Sequence, residues 1–222
     1  MTNVLDTSEY LSRDEAHTLY TAGDAAHDFD HVWRVTTMAM RLAQEEGADV
    51  TVVRLAALLH DVPVPQVHGE QHSRGGHHLA AASYARELLL KRGLGTEQVA
   101  NVVHCIEAHR FRDRSVQPQS LEAKCLYDAD KLDSIGAIGI GRAFAFAGAY
   151  QERLWTEPSS SVPSIHDKPS GENYTPVHEY VYKLRHILAT LYTESAQRIG
   201  LERHRFMIAF FDRLDAEMQG RS

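Results

Sequence analysis

Histidine and aspartate gather in four short stretches of this chain: "HDFDHVWRV" at 27–35, "LLHDV" at 58–62, "HCIEAHRFR" at 104–112 and "YDADKLD" at 127–133. In the first, His27 and His31 stand four apart, with Arg34 a turn further on. The second sets His60 beside Asp61 at the close of the apolar run "VVRLAALL". The third supplies His104 and His109, and the last Asp128, Asp130 and Asp133. Imidazoles and carboxylates brought together from such stretches make a mixed nitrogen and oxygen site. That donor set suits Mn²⁺, Fe²⁺, Ni²⁺, Co²⁺ or Mg²⁺ better than an ion that prefers thiolates. A lone His-Asp pair at the polar edge of a packed helix has an ordinary structural explanation; the ordered series His, His-Asp, His, Asp does not.

These side chains need helices to position them. Apolar residues recur three and four apart almost throughout, with hardly any alternating runs, so the fold is expected to be all-α. The spacing predicts helices over about 8–21, 30–46, 50–60, 78–92, 95–109, 119–132, 134–150, 174–197 and 198–219. Gly47, Gly93 and Gly95 mark three junctions, where helices commonly end. Successive facing helices of a bundle are a usual place to assemble a metal site. The stretch "TEPSSSVPSIHDKPSGENYTP", 156–176, is rich in Pro, Ser and Gly and has no period; it reads as a long loop or cover between two helical blocks. Residues 174–219 read as amphipathic bracing helices.

Composition narrows the function further. A chain of 222 residues, 43% hydrophobic and 24% charged, is long enough for one domain over 1–222 with a sizeable core. Its net charge of −7 argues against a general nucleic-acid surface, which needs clustered Lys and Arg, though a local basic pocket is allowed. The opening residues show no basic leader, and no stretch is apolar over the roughly 18 residues a membrane span needs. The expectation is a cytoplasmic protein with neither nucleic acid nor membrane as partner. Cys105 and Cys125 lack CxxC spacing and are too few for a disulfide framework.

The ordered set inside "DHVWRV", "ALLHDV" and "DADKLDSIGAIGIGRAFA" resembles the HD-domain superfamily of metal-dependent phosphohydrolases, across residues 24 to 150. Within it, "AHRFR" followed by "DADKLDSIGAIGIGRAF" is most similar to a bacterial subgroup resembling nucleoside triphosphate pyrophosphohydrolases. The resemblance implies an HD-type helical bundle, a divalent metal, Mn²⁺ foremost, and hydrolysis at phosphorus. It also implies His31, His60, Asp61 and Asp130 as the ligands. On that footing Asp61, His109 and Lys131 are the catalytic candidates, and Arg34, Arg110, Arg112 and Lys131 are the candidates for holding phosphate. Asp128 or Asp133 could orient a histidine ligand from behind. His104, set among apolar neighbours, reads as a buried hydrogen-bonded residue.

Two departures bear on the chemistry. Relatives often have an acid within a turn of His-Asp, and a lysine slightly further on; this chain reads "HDVPVPQ", with no acid and with Gln66. Conversely, "GGHHLAAASYARELL" puts His77 and His78 at a helix start, where two-metal relatives hold extra histidines. The expected activity is conversion of (deoxy)nucleoside triphosphates to monophosphate and pyrophosphate. A 5′-nucleotidase, a cyclic-nucleotide phosphodiesterase and a non-catalytic nucleotide sensor are the alternatives. The partner is a small phosphorylated molecule, and a homodimer is left open.

Overall fold

A computed structural model describes residues 10–20, 29–63, 77–110, 115–157 and 174–221. In chain order the α-helices are α1 (Arg13–Thr18), α2 (Phe29–Glu46), α3 (Val50–Leu59), α4 (His77–Lys91), α5 (Thr96–Ala108), α6 (Leu121–Asp133), α7 (Gly136–Ala149), α8 (Pro176–Tyr182) and α9 (Glu194–Met218). A 3-10 helix, Leu184–Thr190, lies between the last two, and no strand occurs among the described residues. The fold class is therefore all-α, as the period of the apolar residues requires. Met1–Asp130 and Lys131–Ser222 form two compact units.

In the first unit α3 is the central element. All its residues from Val52 to Leu59 are buried, and it packs against α1, α2, α4 and α5. Each fully buried leucine there contributes about 1.5–3 kcal/mol of hydrophobic stabilisation. The helix starts where Asp49, as N-cap, accepts the backbone N–H groups of Thr51 and Val52 at 2.9 and 3.2 Å. α2 has just ended at Gly47, whose φ of +79° is a left-handed exit that glycine adopts without a Cβ penalty. The start of α6 is tied to both neighbours: Glu122 accepts the Asp49 N–H at 2.9 Å and the Asn101 amide at 3.0 Å. Ser120 donates to Asn101 and caps Ala123 N–H, and Gln119 N–H donates to His104 Nε2 at 2.9 Å. His104 thus has the hydrogen-bonded role expected of it, but is half-buried rather than buried.

In the second unit α9 packs against α7 and the 3-10 helix, burying Ala196, Gly200, Met207 and Phe211. Phe144 lies 5.8 Å from Phe210, and Tyr180 stacks on Phe211 at 4.2 Å. Arg203 donates to the Leu132 carbonyl, and Arg142 pairs with Asp133 at 2.9 Å. Asp133 therefore serves the turn between α6 and α7.

Several expected boundaries need correction. The first helix is six residues rather than an extended 8–21 element, because its capping box starts at Ser12 and its last turn closes at Leu19. The helix expected over 174–197 is broken. Its chain runs through α8 and the 3-10 helix to an extended Leu191, and α9 starts at an N-cap, Thr193, that accepts Ala196 N–H. The break lets Leu191 and Leu188 lie against Gly200, where a Cβ would meet Leu191 Cδ1 at 2.6 Å. Most of the loop expected at 156–176 lies outside the described residues.

Candidate metal centre

His31 enters from the first turn of α2, His60 and Asp61 follow the last turn of α3, and Asp130 sits near the end of α6. One ligand atom each from His31, His60 and Asp130 fall within 4.8 Å of one another, the one group of three or more such donors found among the described residues. Asp61 joins them through Oδ2, 3.5 Å from His60 Nε2 and 3.9 Å from His31 Nε2, while Asp130 Oδ1 is 3.6 Å from His31 Nε2. His60 is completely buried and His31 nearly so, whereas Asp130 keeps some exposure. The cluster is therefore walled on the histidine side and open toward one carboxylate.

The ring nitrogens divide their work. His60 Nδ1 lies 2.8 Å from the Ala57 carbonyl, and because a carbonyl only accepts, Nδ1 carries the proton. Nε2 of His60 is then a bare lone pair, buried and without a hydrogen-bond partner among the described residues. An orphaned acceptor aimed at two carboxylates and a second imidazole is costly unless a cation sits between them. The residues present thus fit a divalent ion, and the backbone bond at Nδ1 is the kind of outer contact that fixes a ligand's tautomer.

His109, at the C-terminal end of α5, repeats the pattern. Its Nδ1 donates to Ile106 at 2.6 Å, and its Nε2 faces the second oxygen of Asp61, Oδ1, at 3.5 Å. Burial holds the imidazole below its ordinary pKa, against the pull of the Asp61 carboxylate that faces Nε2. The rings of His60 and His109 meet edge-on at 5.1 Å, and His78, buried at the start of α4, stands 6.4 Å from His109.

Other candidates are placed less tightly. Arg34 and Arg110 are half-buried, and each takes part in at least one polar, charged or ring interaction. Lys131, buried, follows Asp130 on α6. Arg112 and Gln66 lie outside the described residues, as does the side chain of His77. Asp128 is fully buried. Tyr20 was not singled out by sequence, yet its hydroxyl donates to the Leu58 carbonyl at 2.8 Å, two residues before His60. A tyrosine closing a short helix carries no motif that would have announced this.

Comparison with known proteins decides the family. Residues 28–135 match the HD domain. The chain is 32% identical over 208 residues to the uncharacterized protein YpgQ of Bacillus subtilis, covering 91% of this chain and 89% of that one. The chain belongs to the HD-domain superfamily. The crystal structure of B. subtilis YpgQ in complex with ADP superposes with a TM-score of 0.68 at 29% identity, covering 92% of each chain. An HD-superfamily hydrolase from Bacillus thuringiensis gives 0.66 at 25% identity, over 93% of this chain and 96% of its own. A predicted HD-superfamily hydrolase from an uncultured Thermotogales bacterium gives 0.60 at 29% identity, over 93% and 88%. The protein is accordingly an HD-type metal-dependent phosphohydrolase, and HD domains bind divalent metals. No helix among the described residues is long and apolar enough to cross a membrane.

Proposed function

We propose that His31, His60, Asp61 and Asp130 hold one divalent ion, Mn²⁺ by preference, and that the protein hydrolyses (deoxy)nucleoside triphosphates to the monophosphate and pyrophosphate. The observation that carries the reading is the convergence of these donors around the unpartnered Nε2 of His60. Two carboxylates offset the charge of such an ion and leave it enough positive charge to polarise a phosphoryl oxygen and acidify a water. Support for a nucleotide comes from the relative YpgQ, whose structure holds ADP. The free thiols Cys105 and Cys125, both buried, are compatible with a cytoplasmic setting.

The protein's own groups divide the remaining tasks. Asp61 is ligand through Oδ2 and partner of His109 through Oδ1. His109, with its Nδ1 proton committed to Ile106, offers Nε2 as a proton acceptor and, once protonated there, as a donor to the departing phosphate. Arg34, Arg110, Arg112 and Lys131 are the cations for the outer phosphates, which makes pyrophosphate a stabilised leaving group and favours attack at the α-phosphorus.

Hydrolysis in ¹⁸O-labelled water tests the reading. Label in the nucleoside monophosphate, with unlabelled pyrophosphate, is the expected result. Label in orthophosphate released from the chain end contradicts attack at the α-phosphorus. Preference for monophosphates or cyclic dinucleotides would move the assignment to a 5′-nucleotidase or a phosphodiesterase. Tight nucleotide binding without turnover under any divalent metal would make the protein a sensor.

A further inference from the structure

The short N-terminal helix makes contacts that bear on both ligand-carrying helices. Tyr20, buried at the end of α1, touches α2 and α3 at matching points. Its ring lies 5.7 Å from Phe29, two residues before His31, and its hydroxyl donates to the carbonyl of Leu58, two residues before His60. Leu58 is in the last turn of α3, where carbonyls have no partner further along the helix. Burial first, then the nearby Asp61 charge, raises the phenol well above its ordinary pKa, so it remains a neutral donor.

The rest of α1 is built to hold Tyr20 still. Ser12 and Glu15 form a reciprocal capping box. The Ser12 backbone N–H, and after it Arg92, hold Glu15 down to about 2. Arg92 also donates to the Tyr10 carbonyl at 2.8 Å, and Arg54 of α3 donates to the Leu11 carbonyl at 2.9 Å. Arg13 lies 4.5 Å over the Trp33 ring of α2. A six-residue helix is too short to be stable alone; here it is fastened to three others.

We propose that Tyr20 is a positioning residue for the metal centre, setting the separation between the His31 and His60–Asp61 backbone segments by bridging Phe29 and Leu58. This rests on the reading of His60 and Asp61 as metal ligands. Without the hydroxyl, the end of α3 loses its outside tether, and the two segments can drift apart by the few tenths of an ångström that ligand geometry does not tolerate.

The test uses Co²⁺ alone as the probe, added to the full metal-free protein and followed by its visible absorption and its affinity. Tyr20→Phe keeps the ring and removes the hydroxyl. Arg54→Met breaks the neighbouring tether to Leu11, six residues up α3 from His60, and serves as the control for general destabilisation. The expected result is that Tyr20→Phe weakens Co²⁺ binding by about 10- to 100-fold and shifts the absorption band. Arg54→Met lowers the melting temperature while leaving the Co²⁺ spectrum and affinity as in the parent. Phe29→Leu, which slackens the α2 side, shifts the band in the same sense as Tyr20→Phe, and it decides the matter should Tyr20→Phe not fold. Unchanged Co²⁺ binding in Tyr20→Phe and Phe29→Leu, or losses that simply follow melting temperature across all three variants, would overturn the proposal. An Asp61→Ala protein that binds Co²⁺ like the parent would overturn the ligand reading itself, and the Tyr20 role with it.

Discussion

Nε2 of His109 faces Oδ1 of Asp61 at 3.5 Å, while the other oxygen of the same carboxylate is 3.5 Å from Nε2 of His60. One aspartate therefore serves two imidazoles through separate atoms. Both imidazoles have committed their Nδ1 protons to backbone carbonyls, so both present lone pairs to Asp61. Lone pairs opposing a carboxylate need positive charge between them, and the site can supply it as a metal on the His60 side and as a proton on the His109 side.

That division predicts different losses for the two residues. Asp61→Ala should weaken divalent-metal affinity by more than about 100-fold, beyond the range seen for outer-sphere contacts. His109→Gln should leave metal affinity within a few-fold of the parent and lower turnover by about 10²–10⁴. Metal titration by calorimetry beside steady-state kinetics separates the two. Equal loss of metal in both variants would make His109 a ligand rather than a proton-transfer group.

Two glycines of α7 should respond oppositely to alanine. A Cβ at Gly139 would stand 2.1 Å from the Ser134 carbonyl oxygen, a backbone atom that cannot swing aside. Gly139→Ala should cost about 3 kcal/mol and lower Tm by roughly 6–12 °C. Gly141 has open space around it and sits exposed inside the helix, so Gly141→Ala should gain about 0.5–1 kcal/mol from propensity. Thermal melts of the two proteins moving in the same direction would refute the packing at α7.

Stability should also fall in mild acid because of His178. Its Nδ1 accepts Thr175 N–H at 3.3 Å and lies 2.9 and 3.2 Å from the hydroxyls of Thr175 and Thr156, so the fold needs the neutral ring. Burial holds its pKa below the ordinary 6.5. Between the folded value and 6.5 the unfolded chain binds a proton that the folded chain does not, so stability rises with pH through that window. The contribution is complete above 6.5 and lost below the folded value. His178→Gln, which can accept without titrating, should flatten this part of the Tm–pH curve; an unchanged slope would place its origin elsewhere.

The family was legible in the chain because its evidence lies in residue identity and order. His31, His60, Asp61 and Asp130 each fall at a helix end or first turn that periodicity alone can place, and their mixed nitrogen and oxygen donors already point away from an ion that prefers thiolates. His104 could likewise be assigned a structural role from its apolar neighbours. The broken helix at 183–193 could not, since local propensity continues through it and the break answers to Leu188 and Leu191 packing on a glycine far along α9.

The helical class and the order of the candidate donors along the chain were determined by the sequence alone, through the period of its apolar residues and the identity of a handful of side chains. Tertiary structure decided that Asp61 would turn one oxygen to His60 and the other to His109, that Asp133 would pair with Arg142, and that Tyr20 would bridge Phe29 and Leu58. Such choices depend on distances between residues remote in the chain, and those distances exist only once the helices have packed.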